Sequence, residues 1–137
     1  MRGDRFRFDE AKRHASEPFD KAWTLLPAGS LRLLPQVEET LRDMRRRGWL
    51  IGLVTNDGRR ETDFVLKTLG IAALFDAIAY GGRAELIDGM IVKVAKPNPE
   101  MIYGLSKELG IGPSECVLIG DGHNDLKMGV IRKYSVP

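Results

Sequence analysis

Four residues of this 137-residue chain, Thr55, Lys96, Asp121 and Asp125, have types and settings that could do chemistry. Thr55 and Asn56 close the apolar run WLIGLVT (49–55). A hydroxyl beside exposed backbone N–H groups at a strand-to-helix turn can hold phosphate oxygens, although a simple helix cap uses the same residues. Lys96 stands in AKPNP (95–99), where Pro97 restricts the backbone and aims the ammonium. A lone loop lysine is otherwise only solvated. GDGHND (120–125) sets Asp121 and Asp125 just past the apolar CVLI. Mg²⁺ takes one or two carboxylates together with waters and substrate phosphate. The same turn also reads as an Asx-rich cap on the next helix. His123 in this loop could touch substrate or simply stand exposed.

The combination is more specific than its parts. A hydroxyl, a lysine and an acid pair each fall just past a strand of one expected parallel sheet, which gathers them on one rim. That set describes phosphoryl chemistry, in which two groups grip the phosphate and two acids hold the metal that neutralises it.

The elements that must position these residues are readable in turn. PQVEETLRDMRRRG (35–48) predicts a helix from Pro35 to Gly48, with Val37, Leu41 and Met44 at helical spacing. The continuous run 49–55 predicts a strand buried on both faces. RRETDFVLKTLG (59–70) predicts a helix closed by Gly70, and FDAIAYGG (75–82) a second strand. ELIDGMIVKV (85–94) predicts a hairpin turning at Asp88-Gly89. NPEMIYGLSKELG (98–110) predicts a helix with Asn98 as N-cap and Pro99 at its first position. ECVLIG (115–120) predicts another buried strand, NDLKMGVIRK (124–133) a short helix, and YSVP (134–137) the opening of a further strand. Strands alternating with helices imply a parallel sheet covered on both faces, whose ligands bind at the carboxyl ends of the strands.

Composition narrows the function classes. With 43% hydrophobic and 29% charged residues the chain reads as one ordered, soluble domain. No apolar run approaches the roughly 20 residues that span a bilayer, and MRGDRFRFDEAKRH lacks the apolar core of a signal peptide. The single Cys116 excludes an internal disulfide framework and fits a cytoplasmic setting, with the thiol as a small core residue. Net charge is only +2, and RDMRRRG (42–48) is the one basic cluster. No aromatic residues interleave it, so it reads as a solvated helix end opposing the dipole rather than a nucleic-acid patch.

With these motifs in place, the sequence resembles the haloacid dehalogenase-like (HAD) hydrolase superfamily, most of all its phosphoglycolate-phosphatase-type members. LVTN (53–56) is similar to the family's second motif, Lys96 in KPNPEMIY to its third, and VLIGDGHND (117–125) to its fourth. The resemblance covers about residues 31–130. It implies a Rossmann-like, HAD-type three-layer α/β/α fold with a mostly parallel sheet, and Mg²⁺-dependent phosphoryl transfer through an aspartyl-phosphate. In that scheme Thr55 and the Asn56 backbone bind the transferring phosphate, Lys96 steadies nucleophile and phosphate, Asp121 ligates Mg²⁺, and Asp125 supports the metal or Lys96.

The family's first motif, an apolar strand ending in Asp-x-Asp-x-Thr, has no counterpart. RFRFDEAK (5–12) comes nearest, with Asp9 in the nucleophile's place but Ala11 where the acid should stand. Residues 1–30 resemble instead the end of a helical cap, leaving 31–137 as an incomplete HAD-like core without its first and closing strands. Open sheet edges invite pairing, so a homo-oligomer, with or without exchanged elements, is expected. The leading function is a phosphatase acting on a small phosphorylated metabolite, with neither nucleic acid nor membrane as partner. The alternative is a non-catalytic HAD-derived module that binds phosphate or a protein through the same rim. A cation-pumping ATPase domain shares the GDGHND-like motif, but KPNPEMIY and the lack of membrane spans speak against it.

Overall fold

The structure is a computed structural model and describes residues 26–27, 29–87 and 90–134. The chain divides into two compact units, Met1–Pro35 and Gln36–Pro137, and the elements below belong to the second. The sequence expectations for Asp9, Ala11, the Asp88-Gly89 turn and residues 135–137 lie outside the described residues.

Helix α1 spans Val37–Arg46 and turns half-buried Val37, Leu41 and Met44 to one side. Acids in its first turn and arginines in its last suit the helix dipole. Gly48, at φ 81°, takes the left-handed conformation that ends the helix cheaply. The basic cluster here is engaged by acids: Arg42 pairs with Glu38 at 2.8 Å, Arg47 with Asp43 at 2.7 Å, and Arg45 with Asp76 at 2.8 Å.

Strand β1 (Gly52–Val54) pairs in parallel with β2 (Ala77–Ala79), with Leu53 opposite Ile78. Helix α2 (Arg59–Thr68) and a 3₁₀ turn at Ala72–Leu74 make the crossover that a parallel pair requires. Strand β1 is shorter and wetter than the apolar run implied. Ile51 is buried, but Trp49 and Leu50 are about half exposed, at 52% and 49%. A strand is covered on both faces only where the sheet and its layers continue, and here β1 has one partner among the described residues.

Strands β3 (Arg83–Ile87) and β4 (Met90–Val94) form the expected hairpin, antiparallel with Ile87 opposite Met90. Helix α3 (Glu100–Leu109) follows, with the Asn98 side-chain carbonyl accepting the Glu100 N–H at 3.0 Å and Gly110 at φ 70° past its end. The observed class is α/β, as the alternation of elements implied.

Two expectations need correcting. Residues 116–120 form no strand among the described residues, and Val117 and Ile119 are 72% and 80% exposed. The apolar pattern is a strand pattern, but a strand exists only where a neighbour completes its ladder, and none is present among the described residues. Second, helix α4 runs from His123 to Tyr134, so Tyr134 ends a helix rather than opening a strand.

The core is a cluster of Val94, Met101, Ile102 and Met128, with Val54, Ala79 and Leu118 packed against it. It draws on β1, β2, β4, α3, α4 and the 116–120 segment, and therefore ties together the chain stretches that lead into the candidate site.

Candidate active site

Each sequence-predicted site residue leaves the core cluster within a few positions. Val54 precedes Thr55, Val94 lies two before Lys96, and Leu118 three before Asp121. Asp125 and the fully buried Met128 are three apart on helix α4, so burying one aims the other. Packing at the ends of β1, β4 and the 116–120 segment thus brings together the turns that carry these residues, as the Asn56–Lys96 and Lys96–Asp125 bonds show.

Lys96 is the meeting point. Its Nζ donates to Asp125 Oδ1 at 2.9 Å, and its backbone N–H donates to Asn56 Oδ1 at 2.7 Å. The side chains of Lys96 and Asp125 are 20% and 13% exposed, so water screens the pair only in part. The Lys96 ammonium beside it holds the Asp125 carboxyl below the usual range; the Gly122 N–H, bonded to Oδ2 at 3.1 Å, helps, while burial opposes the shift.

Thr55 sits half-buried at the end of β1, its N–H donating to Ala79 O at 3.0 Å. Its hydroxyl accepts the Asp57 N–H at 3.1 Å and donates to Asp57 Oδ2 at 3.3 Å. The capping-type turn and the phosphate reading of Thr55 therefore concern one local structure. Asp121 is exposed and makes no hydrogen bond or ion pair among the described residues, whereas both oxygens of Asp125 are already engaged. No group of three His, Cys, Asp or Glu side chains is gathered for a metal among the described residues. The donor set is compatible with a hard cation such as Mg²⁺, which takes one or two carboxylates plus waters and phosphate, and Asp121 is the carboxylate that would be open to it. His123 is exposed at the first residue of α4. Cys116 is half-buried, its thiol 3.6 Å from Gly112 O.

Three residues that chemistry alone would not single out complete the site. The Asp57 carbonyl accepts the Gly81 N–H at 3.0 Å. Gly81 is buried against Asn56, where any Cβ would overlap the Asn56 backbone. Gly120 lies against Asp125, where a Cβ would stand 2.5 Å from that side chain's Cβ and Cγ. The sequence signals were the YGG and GDG triplets, which read simply as turns until their partners are known.

No helix among the described residues is long and apolar enough to cross a membrane. The chain is 33% identical over 98 residues to the phosphoglycolate phosphatase of Haemophilus influenzae, which takes in 72% of this chain and 40% of that protein. It is 36% identical over 93 residues to the pyrophosphatase PpaX of Bacillus velezensis, covering 68% and 39% of the two. The crystal structure of a predicted phosphoglycolate phosphatase from Haemophilus somnus 129pt superposes with TM-score 0.63 at 27% identity, over 74% of this chain and 42% of that one. The chain thus spans less than half the length of these relatives. The haloacid dehalogenase-like hydrolase profile matches residues 2–130, nearly the whole sequence. On that match the chain belongs to the haloacid dehalogenase-like hydrolase family.

Proposed function

We propose that this chain carries the phosphate- and magnesium-binding machinery of a phosphohydrolase acting on a small phosphorylated metabolite. The observation that carries the reading is the convergence on Lys96, which joins the β1 turn through Asn56 and the α4 turn through Asp125. Thr55 and the Asn56 backbone hold phosphate oxygens, and the Lys96 ammonium lies against them as a fixed positive charge. Asp125 keeps that ammonium in place, and Asp121 holds Mg²⁺. When bound, the metal neutralises phosphate charge. The reading of a small phosphorylated substrate is supported by relatives named phosphoglycolate phosphatase and pyrophosphatase.

Hydrolysis in such a site needs an aspartate nucleophile, and no Asp-x-Asp-x-Thr occurs in the sequence. The second reading is a phosphate-binding module without turnover of its own. Hydrolysis of p-nitrophenyl phosphate with and without Mg²⁺ separates the two. Mg²⁺-dependent turnover above that of a Lys96→Ala, Asp121→Ala double variant establishes the phosphohydrolase. Mg²⁺-dependent orthophosphate binding without turnover establishes the module. Neither binding nor turnover refutes both.

Exposed Val117 and Ile119 and a β1 with one partner among the described residues leave open edges, and we propose that they pair with a second copy of the chain. The setting is the cytoplasm, and the division at residue 30 between cap remnant and core is part of the same reading.

A further inference from the structure

We infer that Asn56 is a positioning residue for Lys96, its side-chain carbonyl fastening the lysine loop to the Thr55–Asp57 turn so that the two form one unit. The inference rests on the phosphate-site reading above and assigns Asn56 a task beyond its own backbone contact with phosphate.

Asn56 Oδ1 accepts the Lys96 backbone N–H at 2.7 Å, across 40 residues of sequence. The Asn56 main chain is held from a second side. Gly81 donates its N–H to the Asp57 carbonyl at 3.0 Å, and its missing side chain lets it lie flat against the Asn56 carbonyl. Gly81 and Lys96 stand on either side of the β3–β4 hairpin, Gly81 two residues before Arg83 and Lys96 two residues after Val94. Both feet of the hairpin are therefore fixed to the same three-residue turn. A two-stranded hairpin is marginal by itself, so its feet set where it stands and where Lys96 begins.

The geometry also divides the work of positioning Lys96. Asp125 restrains the far end of the side chain at Nζ, and Asn56 restrains the backbone from which it grows. A long lysine held only at its tip keeps several rotamers. Held at both ends, its ammonium has one place to be.

The test is amide hydrogen exchange of the full chain followed by NMR, comparing wild type with Asn56→Ala and Asn56→Asp. Loss of the acceptor in Asn56→Ala speeds exchange of the Lys96 amide by about tenfold, while Leu66 inside α2 keeps its protection. Asn56→Asp retains an acceptor at the same reach and restores Lys96 protection, a rescue that a merely structural role does not produce. Unchanged Lys96 exchange in Asn56→Ala overturns the inference. Should Asn56→Ala lose protection throughout, Asn56→Asp decides: Lys96 protected as in wild type supports the inference, and Lys96 unprotected overturns it. A parallel orthophosphate titration keeps the two readings apart. If wild type binds no orthophosphate with or without Mg²⁺, the phosphate reading fails, while the Lys96 amide still decides the role of Asn56.

Discussion

Lys96 and Asp125, 29 residues apart in sequence, meet as a part-buried ion pair with Nζ 2.9 Å from Oδ1. Removing one partner of such a pair leaves the other charge poorly solvated. Lys96→Met should therefore destabilise the fold by about 1–3 kcal/mol, read from urea denaturation. It should also weaken orthophosphate binding by about ten- to a hundredfold. An unchanged affinity by calorimetry would remove Lys96 from the phosphate site.

Gly120 tests how closely the 116–120 segment must approach helix α4. A Cβ there would press on the Asp125 Cβ and Cγ at 2.5 Å. Gly120→Ala should cost about 1–3 kcal/mol through overpacking and move Asp125 off Lys96. The expected signature is a shifted Lys96 side-chain NMR signal alongside the lower urea midpoint. A variant as stable as wild type would mean that the segment shifts freely.

Asp121 is the free carboxylate of the set, which makes it the group to interrogate for metal. Orthophosphate affinity of the wild type should rise on adding Mg²⁺ and fall back with chelator. In Asp121→Asn the affinity should hardly respond to either. Equal Mg²⁺ responses in the two proteins would place the metal elsewhere.

Asp76 links the start of β1 to helix α1, accepting the Ile51 N–H at 2.8 Å and pairing with Arg45. The Ile51 N–H, and then the Arg45 guanidinium, hold its carboxyl below the usual carboxylate range against the opposing effect of burial. A carboxyl lowered in the folded state contributes stability above its unfolded pKa of about 3.9. That contribution is lost as pH falls through the lower folded value. The urea midpoint should therefore drop below about pH 4 more steeply in wild type than in Asp76→Asn. At pH 7, Asp76→Ala should cost about 1–2 kcal/mol. Parallel acid profiles for wild type and Asp76→Asn would refute the assignment.

The open edge at 116–120 predicts self-association. Light scattering of the chain at high concentration should give a dimer or larger. Val117→Lys with Ile119→Lys, both at exposed positions, should shift it to monomer by setting like charges on the edge. A monomeric wild type at high concentration would count against pairing.

The sequence by itself determined most of the elements and named the candidate residues. Helices α1, α2 and α3 and the hairpin follow from apolar spacing, caps and glycines such as Gly48, Gly70 and Gly110, all local properties. Thr55, Asn56, Lys96, Asp121 and Asp125 stood out as candidates because each lies in a turn that comes after an apolar run. The tertiary structure decided what local pattern cannot reach. CVLI looked like a buried strand, yet Val117 and Ile119 stand exposed, because a strand is a relation between two chains of backbone rather than a property of one. Asp125 was expected to support the metal or Lys96, and its two oxygens accept from Lys96 Nζ and the Gly122 N–H, a pairing that spacing alone does not report. The bond from Asn56 to the Lys96 backbone joins segments that only packing brings together. No spacing rule reports a contact made across a core.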